Sequence, residues 1–590
     1  MENLITFYTK RITEHTSELA HIKKLLLASS MMRLILFLSS FAGIYYAWGN
    51  SRLILGVVLG TIVIFVFLVS RHADLANKKE KILALIKINE IEIKVLARDY
   101  KGLPDGSRFA DPFHHFGQDI DLFGKGSFFQ YTNRTVLDQG TEKLALLFTE
   151  NSIDDIKEKQ EGIKELAHMA KWRQEYAAEA TLVKTEIAAK TITAWLSAYT
   201  FFVPKIMRYV PMIFSGLSIL VIVLYFMDIT SGYILAFWFF TGLGISGSYL
   251  VKINTLAAKT GKVQTVFQQY QKLIFEIEKT EFTSELLKNK KAMVTRVDRK
   301  TSLVLNDFAR VLGALDQRNN MFFGVVGNGF LLWDLNQVFK IERWIKTYGQ
   351  EVDQWFDTIA FFDAYNSLGN FTFNHPKYSF PELTDDAVVL KALDASHPLL
   401  DPKKSVTNDF QIQGEQFLII TGANMAGKST FLRTVSLQIV MSNMGLPVCA
   451  SMATYSPIKL ITSMRTSDSL TDDESYFFSE LKRLKFIVDQ IQTDRYFIVL
   501  DEILKGTNST DKAIGSRKFV EKLIGSKATG IIATHDLSLC EASNSLPQVE
   551  NHYFDAEIID GELYFDYKFK EGICQNMNAS FLLKKMQIVD

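Results

Sequence analysis

Four long apolar runs dominate the hydrophobic pattern of this 590-residue chain. Each run is close to the ~20 residues that a helix needs to cross the hydrocarbon of a bilayer. The first run contains Arg33, so a buried globular helix is its alternative, whereas the other three runs lack ionisable side chains. The pattern predicts four transmembrane helices in two hairpins, at about 25–48, 53–70, 210–227 and 233–251.

Lysine and arginine residues flank the outer ends of both predicted hairpins, whereas the connecting loops carry only Arg52 as a basic residue. Because basic residues are enriched on the cytoplasmic side of membrane helices, we expect both termini and the C-terminal domain to lie in the cytoplasm. Ionisable side chains at membrane depth commonly mark transport paths, so these spans are interpreted as anchors. We therefore expect an integral protein of the bacterial inner membrane that contacts membrane lipid.

Amphipathic helical patterns lie outside the predicted hairpins. A segment rich in glycine and proline, at 101–112, predicts a boundary between them. The predicted helical stretches are 71–100, 141–207, 252–320 and 335–369. The predicted domains are an N-terminal helix with the first hairpin (1–100), the first part of a helical core (101–207), the second hairpin (208–251), the second part of the core (252–385) and an α/β domain (386–590).

A glycine-rich segment carries the most specific chemical signal in the chain. Its residues fit the phosphate-loop pattern G-x-x-x-x-G-K-[ST], with Lys428 and Ser429 at the last two positions. An apolar run at 417–420 predicts a strand before the loop, and a helix start follows it, so backbone N–H groups would surround a phosphate. Lys428 would reach the β- and γ-phosphates, and Ser429 would bind Mg²⁺. The candidate nucleotide-binding residues are Gly422, Ala423, Asn424, Met425, Ala426, Gly427, Lys428, Ser429 and Thr430.

Two further apolar runs end in polar residues that suit a nucleotide site. The run 496–500 predicts a strand that ends in Asp501 and Glu502. Asp501 could hold Mg²⁺ and Glu502 could orient an attacking water, whereas the alternative is a solvated acidic pair. The run 530–534 predicts a strand that delivers His535 to the γ-phosphate or the water, and the alternative is a structural histidine. The candidate catalytic residues are Lys428, Glu502 and His535, and the candidate metal ligands are Ser429 and Asp501.

The charge composition gives no general sign of nucleic-acid binding. The 65 lysine and arginine residues balance 65 aspartate and glutamate residues. Many nucleic-acid binders carry a marked basic excess. Any contact with DNA is therefore expected to come from a local patch in the helical middle of the chain.

The nucleotide-site segments resemble the ATPase domain of the MutS mismatch-repair family, a branch of the ABC superfamily. TGANMAGKST resembles the family's TGPNMGGKST, LDEILKGTNSTD resembles MDEIGRGTSTYD, and ATHDLSL resembles ATHYFEL. Upstream, 119–145 and 153–167 resemble the family's helical core, and the whole resemblance covers roughly 115–205 and 255–590. It implies an α/β P-loop ATPase domain of the ABC/MutS type joined to an all-α core, here with four transmembrane helices.

The same resemblance implies that ATP and Mg²⁺ bind at the interface of a homodimer formed by the ATPase domains. SYFFSEL at 475–481 is similar to the family's STFMVEM, which implies that Ser475 reaches the γ-phosphate bound by the other subunit. Asn424 would sense the nucleotide from the phosphate loop.

Several positions depart from the family's pattern. Acidic residues at 472–474 precede Ser475 and would repel the partner's triphosphate unless a cation compensates them. Ser405 stands where an aromatic residue that stacks on adenine is expected. Ala426 replaces a glycine, which is tolerable only if that position needs no positive φ. The family's N-terminal mismatch-reading domain has no counterpart before the core, so mismatch recognition does not follow from the resemblance.

The favoured hypothesis is a membrane-anchored ATPase that hydrolyses ATP in a dimeric composite site and couples this to DNA binding, as in repair or recombination. One alternative is a membrane-remodelling or transport-related ATPase. Another is a membrane scaffold that ATP switches without DNA binding.

Overall fold

A computed structural model describes residues 2–183, 187–465, 476–505, 507–559, 562–575 and 587 of the chain. Its N-terminal part is helical, and its C-terminal part contains β-sheets. The sequence-based expectation of an α/β domain joined to a helical region is confirmed. The segment 466–475, which includes Ser475 and the acidic residues before it, lies outside the described residues.

Two very long helices, α1 (Glu2–Tyr46) and α2 (Ser51–Leu96), pack against each other as a hairpin. The side chain of Asn50 accepts hydrogen bonds from the backbone N–H groups of Arg52 and Leu53 and so caps the start of α2. Among the described residues, these two helices are long and apolar enough to cross a membrane, and a third candidate arises if a bent pair counts as one span. The apolar stretches therefore continue without a break into the flanking polar helices.

The second pair of predicted spans forms shorter helices. α8 (Val210–Phe226) has 17 residues and α9 (Gly232–Gly247) has 16, which correspond to roughly 25 Å each at 1.5 Å per residue. α9 meets the following helix, α10 (Leu250–Lys279), at an angle of 67°. Four full-length spans are therefore not confirmed, because the chain bends at 248–249 instead of extending the apolar helix.

The predicted helical stretches 141–207, 252–320 and 335–369 are largely helical, and each is divided into two or more helices. The interpretation of 141–207 and 252–320 as long amphipathic helices is therefore wrong, although α10 alone has 30 residues. Asn151 and Asp155 adopt positive φ angles of 48° and 53°, which end one helix and start the next. The backbone N–H of Ser284 donates to Glu165 just before the helix that begins at Glu285. The remaining core helices are α3 (Phe128–Thr132), α4 (Asp138–Thr149), α5 (Ile156–His168), α6 (Ala170–Thr181), α7 (Ala189–Ser197), α11 (Glu285–Ala292), α12 (Thr301–Asp316), α13 (Asn328–Leu331), α14 (Trp333–Tyr348) and α15 (Val352–Asn374).

A buried hydrogen-bond chain fastens the long hairpin to the helical core. The Tyr8 hydroxyl of α1 donates to Asn374 Oδ1 at 2.7 Å, and Asn374 Nδ2 donates to Glu92 Oε2 of α2 at 2.7 Å. Glu92 Oε1 in turn accepts from Arg134 Nε at 2.6 Å. Because a buried charge is costly unless it is paired, this chain fixes how α1, α2 and the end of α15 meet.

The C-terminal domain contains β-strands and three further helices. The strands are β1 (Glu382–Leu383), β2 (Val388–Ala395), β3 (Asn408–Gln413), β4 (Phe417–Gly422), β5 (Met452–Tyr455), β6 (Lys459–Ser463), β7 (Tyr496–Asp501), β8 (Thr529–Ala533), β9 (Val549–Phe554), β10 (Glu557–Ile559), β11 (Glu562–Tyr564) and β12 (Phe569–Glu571). The helices are α16 (Lys428–Asn443), α17 (Tyr476–Gln490) and α18 (Ser509–Gly525).

A six-stranded sheet forms the centre of this domain, in the order β12-β9-β4-β8-β7-β6. The five strands from β9 to β6 run parallel, and the edge strand β12 is antiparallel. A smaller sheet has the order β1-β5-β2-β3, and β10 pairs with β11.

Candidate nucleotide site

Three neighbouring strands of the six-stranded sheet bring the candidate residues together. β8 lies between β4 and β7, and all three are parallel. Their carboxyl ends therefore meet at one edge of the sheet, where ligands bind in open α/β folds. β4 leads into the phosphate loop, β7 ends at Asp501, and β8 leads to His535. The three strands predicted from the sequence are confirmed.

The phosphate loop turns through backbone angles that favour glycine at two positions. Gly422 has a φ of +147° and Gly427 a φ of +111°, and α16 begins directly after Gly427. A Cβ atom on Gly422 would lie 2.5 Å from the Phe554 carbonyl oxygen, so a larger residue does not fit there. Met425 also has a positive φ, of 67°, whereas Ala426 does not. The alanine is thus compatible with the loop, as the sequence argument requires.

Lys428 lies folded across the loop with its side chain buried. Its Nζ donates to the carbonyl oxygens of Gly422 and Ala423, at 2.8 and 3.0 Å. The same Nζ lies 3.3 Å from His535 Nε2. Burial lowers the pKa of the Lys428 ammonium, an effect that the carboxylates of Glu502 and Asp501 oppose. The ammonium is therefore held at the loop by weak neutral acceptors, which a phosphate oxygen could replace.

Ser429 and Asp501 form a hydroxyl–carboxylate pair that suits Mg²⁺. Ser429 Oγ donates to Asp501 Oδ2 at 2.8 Å. Burial raises the pKa of Asp501, because its neighbours do not fully stabilise the negative charge of the buried carboxylate. Mg²⁺ prefers oxygen ligands and takes only one or two carboxylates in nucleotide sites. The two oxygens are close enough to bind one ion together, and the pair therefore fits the metal.

Glu502 stands beside this pair in a strained turn. Its φ is +51°, an angle that non-glycine residues rarely adopt outside special sites. Its Oε1 lies 2.9 Å from His535 Nε2, and its Oε2 lies 3.6 Å from Lys505 Nζ. The hydrogen bond from His535 is the main cause that lowers the pKa of Glu502 to about 2, with a further contribution from Lys505. The carboxylate is therefore ionised at neutral pH, as a general base must be.

A cavity of about 400 Å³ opens next to the phosphate loop. Ser405 lines it, as do Gly427 and Thr430. The ring of Tyr567 approaches the loop so closely that a Cβ on Gly427 would lie 3.3 Å from its Cδ1. Asn408 Nδ2 donates to the Tyr567 carbonyl oxygen at 3.0 Å and fixes this loop. Tyr567 thus offers the aromatic surface for base stacking that Ser405 cannot supply. No local motif near the phosphate loop reveals this residue.

The sequence of the C-terminal region matches a known family. Residues 418–586 match MutS domain V, which includes the phosphate loop, Asp501, Glu502 and His535. This chain carries a MutS domain V. The resemblance to the MutS family, drawn from the sequence motifs, is confirmed. The family's ATPases generally use ATP with Mg²⁺, in agreement with the Ser429–Asp501 pair.

The curated relatives of this MutS domain match over a limited segment. The chain is 33% identical over 218 residues to the DNA mismatch repair protein MSH4 of Arabidopsis thaliana, covering 36% of this chain and 27% of that protein. It is 31% identical over 234 residues to MutS protein homolog 4 of Homo sapiens, covering 38% and 24%. It is 32% identical over 203 residues to the DNA mismatch repair protein MutS of Chlamydia abortus, covering 33% and 24%. The chain therefore spans about a quarter of the length of these relatives.

The helix after Ser475 contacts the segment that follows Glu502 in the same chain. Glu480 of α17 is buried, and its two carboxylate oxygens accept from the backbone N–H groups of Leu504 and Lys505, at 2.5 and 3.1 Å. Burial raises the pKa of this carboxyl group, whereas the two N–H groups oppose the shift. Glu480 therefore holds the segment that follows Glu502, a role that the sequence motifs alone did not indicate.

Salt bridges connect the MutS domain to the helical core. The Asp121 carboxylate accepts from both terminal nitrogens of the Arg465 guanidinium, at 2.6 and 2.8 Å, and its Oδ2 lies 3.4 Å from Arg433 Nη1 of α16. Arg483 of α17 donates to the carbonyl oxygens of His114 and His115. The segment from His114 to Asp121 thus contacts α16, which follows the phosphate loop, and α17. It also contacts Arg465, the last described residue before 466–475.

Proposed function

We propose that this protein is a Mg²⁺-dependent ATPase. The observation that carries the proposal is the cluster of Lys428, His535 and Glu502 beside the Ser429–Asp501 pair. Phosphoryl transfer needs groups that position the phosphates and stabilise charge, and a residue that orients the attacking water. These five side chains come from three adjacent strand ends and supply both requirements.

Each of these residues has its own role, which follows from its position in the site. Lys428 exchanges its two carbonyl acceptors for phosphate oxygens, and Glu502 orients the water and accepts its proton. His535 contacts both side chains, so it senses whether Lys428 has moved to the phosphate and adjusts Glu502 in response. Ser429 and Asp501 would hold Mg²⁺, which would neutralise charge on the phosphates. The base stacks on Tyr567 in the cavity beside the loop.

The proposal includes a homodimer of the ATPase domains. In the MutS pattern the site of one subunit is completed by Ser475 of the partner subunit. Within one chain, Glu480 and Arg483 connect the helix after Ser475 to the segment that follows Glu502 and to the helical core. Association of two subunits around ATP would therefore move these helices together.

The proposal places the protein in a membrane with its ATPase domain in the cytoplasm. α1 and α2 are the main anchor, since both are long, apolar and largely exposed over their central parts. α8 and α9 form a second, shorter pair of membrane helices, and such a pair is accommodated by local thinning or by flanking residues. The buried Tyr8–Asn374–Glu92 chain would transmit motion between the core and this anchor.

DNA is the proposed partner of the helical core, in a repair or recombination process. The support is the similarity to proteins named for DNA mismatch repair. The alternative is that the ATPase acts on the membrane itself, as a remodelling, transport-related or scaffolding protein. The basic and acidic residues of the chain balance, so its overall charge does not favour DNA. Salt-sensitive binding to DNA would therefore be strong support for the favoured view.

The ATPase proposal is tested by phosphate release from the full-length protein in liposomes, with Mg²⁺ or with EDTA. Hydrolysis that requires Mg²⁺ and is lost in Lys428→Ala supports it, and the absence of hydrolysis in the wild-type protein overturns it. DNA binding is tested on duplex, mismatched, branched and single-stranded DNA over a salt series, with and without ATP. If none of the four DNA types is bound in a salt-sensitive way, the DNA partner is rejected and the membrane-acting alternative is favoured.

A further inference from the structure

A third apolar segment packs against the second pair of apolar helices. Residues 321–332 read MFFGVVGNGFLL and contain no ionisable side chain. They form a π-helical turn (Phe322–Gly327) followed by the short helix α13 (Asn328–Leu331). The whole element covers roughly 15 Å at 1.5 Å per residue, which is about half of the ~30 Å hydrocarbon thickness. It is therefore too short to span a bilayer.

The ends of this segment are fastened to each other. Arg318, just before it, forms an ion pair with Asp334, just after it, with Nε and Oδ2 at 3.0 Å. Trp333 Nε1 also donates to the Ala314 carbonyl oxygen of α12 at 2.9 Å. Leu332 has a φ of +47°, and α14 starts at the next residue. The chain thus enters from α12 and leaves into α14 at nearly the same place, which is the geometry of a re-entrant loop.

Asn328 explains how a polar residue is tolerated inside this segment. It is buried, its Nδ2 donates to the Gly324 carbonyl oxygen at 3.0 Å, and its Oδ1 accepts from the Asp334 backbone N–H at 3.0 Å. Irregular backbone in an apolar environment must have its polar groups satisfied inside the protein. Asn328 satisfies groups on both sides of the irregular stretch.

Two glycines allow the segment to lie directly against α9. A Cβ on Gly242 would come 2.2 Å from the Gly329 carbonyl oxygen, and a Cβ on Gly329 would come 2.2 Å from Phe239 Cδ2. On the other side, Ser215 Oγ of α8 donates to the Leu331 carbonyl oxygen at 3.4 Å. Small residues at a helix crossing are the usual means of close packing between membrane helices.

These contacts lie near one end of the α8–α9 pair. Ser215 is in the second turn of α8, and Gly242 is in the last third of α9. Lys205 and Arg208 precede α8 at this end, and Lys252 follows α9. Basic residues beside an apolar surface match the anionic headgroups of a cytoplasmic leaflet. Met321 and Phe322, at the start of the segment, are apolar and are 83% and 64% exposed.

We propose that residues 321–332 insert into the headgroup and upper acyl region of the cytoplasmic leaflet as a non-spanning, lipid-contacting segment. This inference rests on the proposed membrane anchoring. A bilayer fits better than a protein partner because the exposed surface is apolar throughout and bordered by basic residues, as in interfacial membrane segments. Its consequence is that α12 and α14, which frame the segment, join the helical core directly to the membrane surface.

The test is depth-dependent quenching in the full-length protein. The variants Phe322→Cys, Leu59→Cys in α2 and Leu537→Cys in the ATPase domain are labelled with the fluorophore NBD, and the wild-type protein measures background labelling. They are reconstituted in phosphatidylethanolamine–phosphatidylglycerol liposomes that contain a shallow or a deep nitroxide lipid. We expect position 322 to be quenched more by the shallow probe, position 59 by the deep probe, and position 537 by neither.

The outcomes separate this inference from the anchoring proposal. Quenching at 59 without quenching at 322 overturns the inference and leaves the anchoring proposal intact. This holds even if the emission at 322 is blue-shifted, because blue-shifted emission without quenching means that protein, not lipid, covers the position. No quenching at either position overturns both. The packing is tested with Gly242→Val in the Phe322→Cys background. This variant should reduce the quenching at 322. The matched control Gly244→Val should not, because in the described part of the chain a Cβ at 244 would meet nothing within 4 Å apart from its chain neighbours and the backbone of its own helix. Equal effects of the two variants overturn the proposed packing.

Discussion

His535 Nε2 lies 2.9 Å from Glu502 Oε1, and this contact sets the protonation of the proposed general base. It is the main reason that the pKa of Glu502 falls from its usual 4.5 to about 2. In the wild-type protein, Glu502 therefore remains ionised as the pH falls to about 3.

A His535→Ala variant should show a new acid limb in its pH–rate profile. Removal of the hydrogen bond raises the pKa of Glu502 towards 4.5, so the carboxylate becomes protonated and the relative hydrolysis rate falls below about pH 5. The measurement is kcat from pH 4 to 8, normalised to each protein's own maximum. Superimposable normalised profiles would show that His535 does not control Glu502.

Tyr567→Ala should weaken ATP binding about tenfold, within the ~1–3 kcal/mol that aromatic stacking on a base contributes. The ring is the aromatic surface closest to Gly427 in the cavity that Ser405 also lines. Binding of a fluorescent ATP analogue measures the effect, with Tyr567→Phe as the control that keeps the ring and binds as the wild-type protein does. Unchanged affinity in Tyr567→Ala would place the base elsewhere.

Glu480→Gln should lower kcat about tenfold, the equivalent of ~1.4 kcal/mol, and leave the Kd for ATP unchanged. One of its two acceptor oxygens becomes an NH₂ group, which cannot accept from Leu504 or Lys505, so the turn that carries Glu502 loosens. Glu541→Gln is the control, since that carboxylate is largely exposed. A change in Kd that matches the change in kcat would argue against a positioning role.

Tyr8→Phe should destabilise the protein by about 1–3 kcal/mol, because it leaves the buried Asn374 oxygen without its donor. The measurement is chemical unfolding of the detergent-solubilised protein. Tyr45→Phe, at a side chain that is 76% exposed, is the matched control and should change little. Equal stability of the two variants would mean that α1 is not fastened to the core through Tyr8.

Local sequence patterns predicted the strands and the loop that bring the candidate nucleotide-site residues together. The strands before Gly422, Asp501 and His535 are continuous apolar runs, and such runs predict buried parallel strands. The glycine spacing of the loop reports the positive φ angles at Gly422 and Gly427. The roles assigned to Lys428, Glu502 and His535 stay predictions that the proximity of these side chains supports.

The remaining features depend on contacts between distant parts of the chain. Tyr567 reaches Gly427 only after the chain has passed through β9, β10 and β11. Nothing in the local sequence of α17 distinguishes Glu480 from other glutamates in helices. The amphipathic period continues across the breaks at Asn151 and Asp155, so periodicity alone joined separate helices. The segment 321–332 is shorter than a span and therefore gave no membrane signal.

The most direct test of the account is the mass of the full-length Glu502→Gln variant with Mg²⁺–ATP, measured together with its turnover. We predict an ATP-dependent dimer whose hydrolysis is ~10²–10⁴-fold slower than that of the wild-type protein. Lys428→Ala, which should not bind ATP, should show no such change in mass. A Glu502→Gln protein that stays monomeric with ATP, or that hydrolyses ATP at the wild-type rate, would contradict the composite ATPase site.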